Sequence, residues 1–132
     1  MAVSQELLIA SNILVWSGNG NLGYKIETLS NENFVVVMMD INNIFIQLFT
    51  SSGVDIGAGV ISVTSANSGS RTNPGLCAFD DGTFLVTWNE SNLLKAQLFA
   101  NSGVMINSII TFLRLSSTVT SLVNMTVNQL TN

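Results

Sequence analysis

Short runs of alternating apolar and polar residues, separated by polar turns, make up most of this chain. In the clearest run, Phe84, Val86 and Trp88 fall on one side of a predicted strand, because neighbouring residues of a strand point to opposite faces. Four consecutive strands are predicted in this part of the sequence: Gly75–Phe79, Thr83–Asn89, Leu93–Phe99 and Val104–Leu115. Turn signals recur at about 8–12 residue spacing and no segment has a capped helical pattern, so the sequence predicts an all-β fold.

Turn-forming residues separate these strands. Asp80–Gly82 is a predicted tight turn, and Asn101–Gly103 is a second turn whose glycine adopts positive φ at little cost. The fourth strand is long, and we expect it to be bent or bulged near Asn107 and Ser108.

The same pattern occurs twice, at a constant offset of 50 residues. Phe34–Met38 is similar to Phe84–Trp88, and Gln47–Val54 is similar to Gln97–Val104. A fixed offset over two separate blocks is the sequence signature of a repeat. We therefore divide a single domain, residues 1–132, into approximate units 1–33, 34–83 and 84–132, built from four-stranded antiparallel sheets. The residues expected to anchor the core of the units are Phe34, Val36, Phe49, Phe84, Val86, Trp88 and Phe99.

The first part of the chain can be aligned with the repeat in two ways. Ala2–Asn33 matches Gly53–Thr83, which makes it a fourth strand followed by a first strand. Alternatively, Ile13–Trp16 matches Leu85–Trp88 and forms a second strand, which accounts for Trp16 and gives the chain three short sheets. We favour the second alignment, because it accounts for Trp16 and gives a fuller first blade.

A family resemblance rests on residues of the second unit. They are Asn73, Pro74, Asp81, Gly82, Phe84, Val86, Trp88, Gln97, Phe99, Ser102 and Gly103. In this spacing they resemble the tandem β-propeller-like repeats of large secreted or surface proteins, found in adhesin-like proteins of bacteria and in ciliates. The resemblance implies blade-like units of four strands. Met38 and Met39 stand where the repeat has tryptophan, and the glycine-rich, aspartate-containing loop of the family is missing, so its calcium role is not carried over.

The number of units raises a question about closure. At 50 residues a unit, the 132 residues hold about 2.6 units, whereas a closed propeller needs at least about four blades. We expect one of three outcomes: the chain is part of a longer array, it associates with copies of itself, or its strands form a compact β-sandwich or prism.

Composition and charge exclude several classes of function. The chain has no histidine and one cysteine, so histidine catalysis, an intrachain disulfide and a zinc cluster drop out. Lysine and arginine number 4 against 8 acidic residues, a net charge of −4 that does not favour nucleic acid. The sequence contains no apolar run long enough to span a membrane, and its first ten residues lack the basic segment of a signal peptide. No cofactor is implied.

Aromatic and amide side chains near the N-terminus are the candidate ligand site. Trp16 and Tyr24 flank a polar loop that contains Asn19 and Asn21. Aromatic faces stack on the apolar faces of sugar rings, and amides hydrogen-bond to sugar hydroxyls. These four residues therefore support a lectin-like hypothesis, in which a glycan is the partner.

Other reactive residues have simpler interpretations. Cys77 has no histidine to activate it and is expected in the core. Asp80 and Asp81 could ligate calcium, but Asp-Asp-Gly is above all a turn sequence. Asn89 and Asn124 begin glycosylation sequons, and Asn89 is the more plausible acceptor because it is placed in a predicted turn.

The four basic residues are scattered along the chain. They are Lys25, Arg71, Lys95 and Arg114. We expect them to be solvated surface charges, with Arg71 as an alternative contact for an anion or a carboxylate.

The surface chemistry suggests a function. Lysine and proline normally protect strand edges from pairing, yet the chain has two lysines and one proline. The sequence therefore predicts a non-enzymatic structural protein that self-associates through exposed strand edges into an extracellular or cell-surface ring or filament, as a homo-oligomer or polymer. The alternative is a lectin-like carbohydrate-binding module. An enzyme that uses a carboxylate pair has no positive support.

Overall fold

Two four-stranded antiparallel sheets form the described part of the chain, which comprises residues 23–40, 43–57, 59–64 and 70–114 of a computed structural model. The first sheet contains β1 (Gly23–Thr28), β2 (Phe34–Met39), β3 (Ile44–Phe49) and β4 (Ile61–Ser62). The second contains β5 (Arg71–Ala78), β6 (Phe84–Glu90), β7 (Leu93–Phe99) and β8 (Met105–Arg114). No helix occurs among these residues, so the predicted all-β fold and its four-stranded units are confirmed.

Strand pairing shows the repeat directly. Phe34 pairs with Phe49 across β2 and β3, and Phe84 pairs with Phe99 across β6 and β7, 50 residues later. Both ring pairs are stacked, with centroids 5.1 Å and 5.2 Å apart. Cross-strand aromatic pairs of this kind stabilise a sheet beyond the area that they bury.

Each sheet begins one strand before the unit boundaries at 33/34 and 83/84. Strand β1 pairs with β2 and lies 50 residues before the equivalent part of β5. Gly23–Thr28 is therefore the first strand of its sheet, as in the alignment of Ala2–Asn33 with Gly53–Thr83. Ile13–Trp16, on which the other alignment rests, lies outside the described residues.

The predicted turns are present. Gly82 and Gly103 have φ of 91° and 85°, and each amide closes its turn on a carbonyl three residues earlier, Phe79 and Ala100. Glycine is favoured at such positions because a Cβ there is strained.

Strands β6 and β7 are joined by a two-residue hairpin turn. Ser91 and Asn92 have φ of 51° and 67°. Positive φ at both central residues is typical of the tight turns that match the twist of a hairpin.

The two sheets stack front to back. We call the side of the second sheet that carries Leu76, Phe84, Val86, Trp88 and Phe99 its front face. This face packs into one buried cluster with the opposite, back face of the first sheet, which carries Val35, Val37, Met39, Ile44, Ile46 and Leu48. The front face of the first sheet, with Phe34, Val36, Met38 and Phe49, forms a separate buried cluster.

This stacking joins faces that are not equivalent in the repeat. A two-fold sandwich would join like faces, whereas front-to-back contact relates the units by a step that can be repeated. The equivalent strands β1 and β5 lie against each other where the sheets meet, and a Cβ on Gly23 would lie 4.0 Å from Cγ of Pro74. The sheets do not close into a ring within the described residues.

Candidate functional site

Four side chains form a buried polar network at one end of the second sheet. Arg71 Nε donates to Glu90 Oε2 at 2.7 Å, and Lys95 Nζ donates to Glu90 Oε1 at 2.5 Å. The indole N–H of Trp88 also donates to Glu90 Oε2, at 3.3 Å. Arg71 and Glu90 are only 2% and 8% exposed, so this ion pair is buried, whereas Lys95 is half-buried.

Strand register explains why these residues meet. Arg71 lies opposite Glu90 on β5 and β6, and Trp88 lies opposite Lys95 on β6 and β7. Residues directly opposite on antiparallel strands have their Cβ atoms about 4.5–5.5 Å apart, within reach of long charged side chains. Glu90 thus receives a donor from each neighbouring strand.

The network extends to the first sheet through the connection that follows β2. Arg71 Nη1 donates to Asn43 Oδ1 at 3.4 Å. The backbone N–H of Asn43 donates to Asp40 Oδ1 at 3.2 Å. The ion pair of the second sheet is therefore joined by hydrogen bonds to the end of β2 in the first.

The electrostatics of Glu90 favour its charged form. Burial alone would raise the pKa of this carboxyl, but the hydrogen bonds from Lys95, Arg71 and Trp88 outweigh it and hold the pKa below its ordinary value of 4.5. Glu90 is consequently an anion that holds two cations. The arrangement fixes strands β5, β6 and β7 and orients Arg71 toward the other sheet.

The expectation that Arg71 is a solvated surface charge is wrong. Its guanidinium is buried because Glu90, 19 residues later, neutralises it. Lys95 is half-buried rather than fully solvated, since its ammonium reaches the same carboxylate. The signal in the sequence is weak, because Arg71 and Glu90 are recognised as a facing pair only when the register of β5 and β6 is known.

Gln97 fills a bulge in β8. The ladder between β7 and β8 shifts register between the pairs Leu98–Ile106 and Ala96–Ile110, and Asn107 there has φ of 62°. The predicted bulge near Asn107 is therefore confirmed. The Gln97 Nε2 group donates to the carbonyls of Ile106 at 3.1 Å and Asn107 at 3.2 Å, so its amide replaces backbone donors that the bulge has removed.

Replacement of Gln97 by leucine is expected to destabilise the protein by about 1–3 kcal/mol, because the buried carbonyls of the bulge lose their donor. The side chain is 1% exposed, so water cannot simply take its place. Hydrogen exchange should show that the amides of β8 exchange faster in the variant than in the natural protein, and that they do so by more than the amides of β6. Equal protection of β8 in the variant and the natural protein would contradict this role.

The last strand of the second sheet carries four of the nine large apolar side chains that are exposed in the described part of the chain. Strand β8 is hydrogen-bonded to β7, and within the described part of the chain no strand pairs with its other edge. Its large exposed side chains are Met105, Ile109, Ile110 and Phe112, each 43–46% exposed. Tyr24 and Ile26 on β1 are the other exposed apolar residues on a strand.

The candidate ligand residues are only partly placed. Trp16, Asn19 and Asn21 lie outside the described residues. Tyr24 is 60% exposed on β1. Whether the four residues form one site lies outside the described part of the chain, so the site stays a prediction.

One of the two glycosylation candidates, Asn89, lies in the described part of the chain. Asn124 lies outside the described residues, and Asn89 lies in β6 rather than in the turn, which Ser91 and Asn92 form. Asn89 is half-buried, with its Oδ1 buried and without a hydrogen-bond partner.

The remaining sequence candidates lie in the core or in turns. Cys77 is buried on the back face of the second sheet, and its Sγ lies 3.7 Å from the carbonyl oxygen of Ala78. Asp81 caps its own turn by accepting from the backbone N–H and the hydroxyl of Thr83, which lowers the pKa of its carboxyl. All seven predicted core anchors are buried: Phe34, Val36, Phe49, Phe84, Val86, Trp88 and Phe99.

Neither a metal-binding cluster nor a membrane-spanning helix occurs among the described residues. They contain no group of three acidic or cysteine side chains placed to bind a metal ion. They also contain no helix with the length and apolarity to cross a membrane.

Comparisons with protein-family models, with curated proteins and with solved structures found no match.

Proposed function

We propose that this is a non-enzymatic structural β-repeat protein that self-associates through an exposed strand edge into an extracellular or cell-surface assembly. The observation that carries the proposal is strand β8, ten residues long, with one edge unpaired among the described strands and with exposed Met105, Ile109, Ile110 and Phe112. An open strand edge with apolar side chains is a template for the strand of another chain.

The stacking of the units supports growth beyond one chain. The first sheet uses its back face to bind the front face of the second, so equivalent units meet through unlike surfaces. A contact between unlike surfaces gives a ring if its rotation closes and a filament if it does not. This geometry makes a ring or filament the expected form of the assembly.

The low charge of the chain supports the same proposal. Charged residues make up 9% of the sequence, against about 25% in a typical domain, and the net charge is −4. Repulsion between copies is therefore weak. Strand β8 has no charged residue before Arg114, at its end.

The double variant Ile110→Lys, Phe112→Lys is expected to abolish self-association. Burying two ammonium groups in a strand-to-strand contact costs more free energy than the contact gains. The natural chain should rise in mass with concentration by light scattering, and negative-stain images should show rings or filaments. The double variant should stay monomeric with unchanged circular dichroism, since both side chains are exposed.

The matched control is Val54→Lys. Val54 is 61% exposed in the turn after β3, so this variant adds charge at an exposed apolar position away from the edge. It should assemble like the natural chain. A natural chain that stays monomeric at every concentration would overturn the proposed function.

A lectin-like module is the second candidate, favoured by one observation. Tyr24 exposes 60% of its surface, with Ile26 exposed two residues further along β1. An exposed aromatic ring beside an apolar side chain suits the face of a sugar. Saturable binding on a glycan array that Tyr24→Ala removes would support this candidate.

A further inference from the structure

We infer that the contact between copies is β8 against β8, antiparallel about a two-fold axis, so that two four-stranded sheets become one sheet of eight strands. The inference rests on the proposed function and names the surface at which self-association begins. The partner is a second copy of this chain.

Three of the four edge strands are poor partners. Strand β4 has two residues, Ile61 and Ser62. Strands β1 and β5 lie against each other at the junction of the two sheets, although residues 24–28 of β1 remain exposed. Strand β5 also contains Pro74, which has no N–H to donate, and shifts register between Thr72 and Gly75. Strand β8 is the edge that remains among the described strands.

Charge separates β8 from β1 as well. Strand β1 carries Lys25 and Glu27 at exposed positions, a common protection of edges. Strand β8 has no charge from residue 105 to residue 113, so two copies can meet there without like-charge contact. With the axis at Thr111, Arg114 of one copy would lie opposite Ser108 of the other rather than opposite a second arginine.

The register of β8 locates the centre of the contact. Ile110 and Thr111 pair in regular order with Ala96 and Lys95, but the ladder shifts on either side of them. Bulges bend an edge strand, so the part able to accept a second strand is short and centred within residues 109–112. Under a two-fold axis perpendicular to the sheet, one residue of this segment must face its own copy.

This contact is closed, because both copies use the same edge. By itself it gives a pair, and a larger ring or filament is then built from pairs through a second contact. Mass should therefore increase through a dimer rather than in single-chain steps.

The test is a set of four variants, each with one cysteine introduced on β8: Ile109→Cys, Ile110→Cys, Thr111→Cys and Phe112→Cys. Facing residues of antiparallel strands have Cα atoms about 4.5–5.5 Å apart, within the range that a disulfide spans. One of the four should give a disulfide-linked dimer on mild oxidation. Cysteines at the neighbouring positions should not form a linked dimer, because the cysteines of the two copies are then also displaced from each other along the strands.

Two controls accompany the four variants. The natural chain measures any linkage through Cys77, which is buried. Val54→Cys places a thiol at an exposed turn and should give no more dimer than the natural chain. The mass of each protein is also measured under reducing conditions, so that self-association is recorded without the disulfide.

The outcomes distinguish the inference from the proposed function. A linked dimer at one position of β8, with reversible dimers under reduction, supports both. Self-association under reduction without a linked dimer at any of the four positions overturns the two-fold contact and leaves the proposed function standing. Equal linkage at all positions and at Val54→Cys reports random collision and also overturns the contact. Monomers at all concentrations overturn both.

Discussion

Replacement of Trp88 by alanine is expected to lower the free energy of unfolding by about 3–5 kcal/mol, the usual cost of removing a large buried aromatic side chain. Trp88 is fully buried, in the cluster that joins the front face of the second sheet to the back face of the first. Its indole N–H is also one of the donors to Glu90. Urea unfolding followed by circular dichroism would measure the loss.

Two control variants separate the causes of this effect. Trp88→Phe keeps most of the packing and removes the hydrogen bond to Glu90, so its cost should be smaller than that of alanine. Tyr24→Ala removes an aromatic ring that is 60% exposed and should change stability by no more than about 0.5 kcal/mol. An unchanged unfolding midpoint in Trp88→Ala would show that the indole does not pack between the sheets in solution.

Local patterns predicted the strands of the second sheet well. Alternation placed Phe84, Val86 and Trp88 on one face, and the structure has them on the front face. The predicted third strand, Leu93–Phe99, is β7 residue for residue. These features are fixed by neighbouring residues: apolar alternation sets the strand, and Gly or Asn at positive φ sets its end.

The way the sheets meet could not be predicted in this manner. Every residue of β2 is buried, so its sequence Phe-Val-Val-Val-Met-Met has no polar face to mark the outside. Both sides of the first sheet are apolar, and only the three-dimensional packing shows that Val35 and Val37 contact the second sheet while Phe34 and Val36 do not share that cluster. A repeat in sequence states that two units are alike but not which of their faces join.

The start of β5 shows the same limit at a single residue. The strand was predicted from Gly75, where apolar residues begin, but it starts at Arg71. The polar residues Arg71 and Thr72 continue the strand because Glu90 and Asn89 lie opposite them on β6. A charge that is stabilised by a residue 19 positions away leaves no local signal, which is why the polar network was missed.

The candidate ligand site is less informative than the network. Tyr24 is the one of the four candidate ligand residues that lies in the described part of the chain, and it is on strand β1. Self-association through strand edges stays a prediction, and β8 is the described edge on which the proposal rests.

Replacement of Glu90 by glutamine is expected to destabilise the protein by about 3–5 kcal/mol, because the buried Arg71 loses its counter-charge. Glutamine has nearly the same shape, so packing changes little, but its NH2 group replaces one of the two oxygens that accept from Arg71, Trp88 and Lys95. The loss therefore reports the charge together with one acceptor. The control is Glu27→Gln on the exposed surface of β1, which should change stability by no more than about 0.5 kcal/mol. Chemical unfolding at neutral pH would compare the two.

The same ion pairs determine how stability depends on pH. Since the pKa of Glu90 is lower in the folded protein than its ordinary 4.5, the unfolded chain binds the proton more readily. The contribution of Glu90 is therefore complete above about pH 4.5 and is lost as the pH falls through the folded value. Asp81, whose pKa is also lowered, acts in the same direction. Glu90→Gln should make the acid limb of the stability profile shallower than in the natural protein. Parallel limbs, offset by a constant amount, would show that the charge of Glu90 is not what holds Arg71 between the sheets.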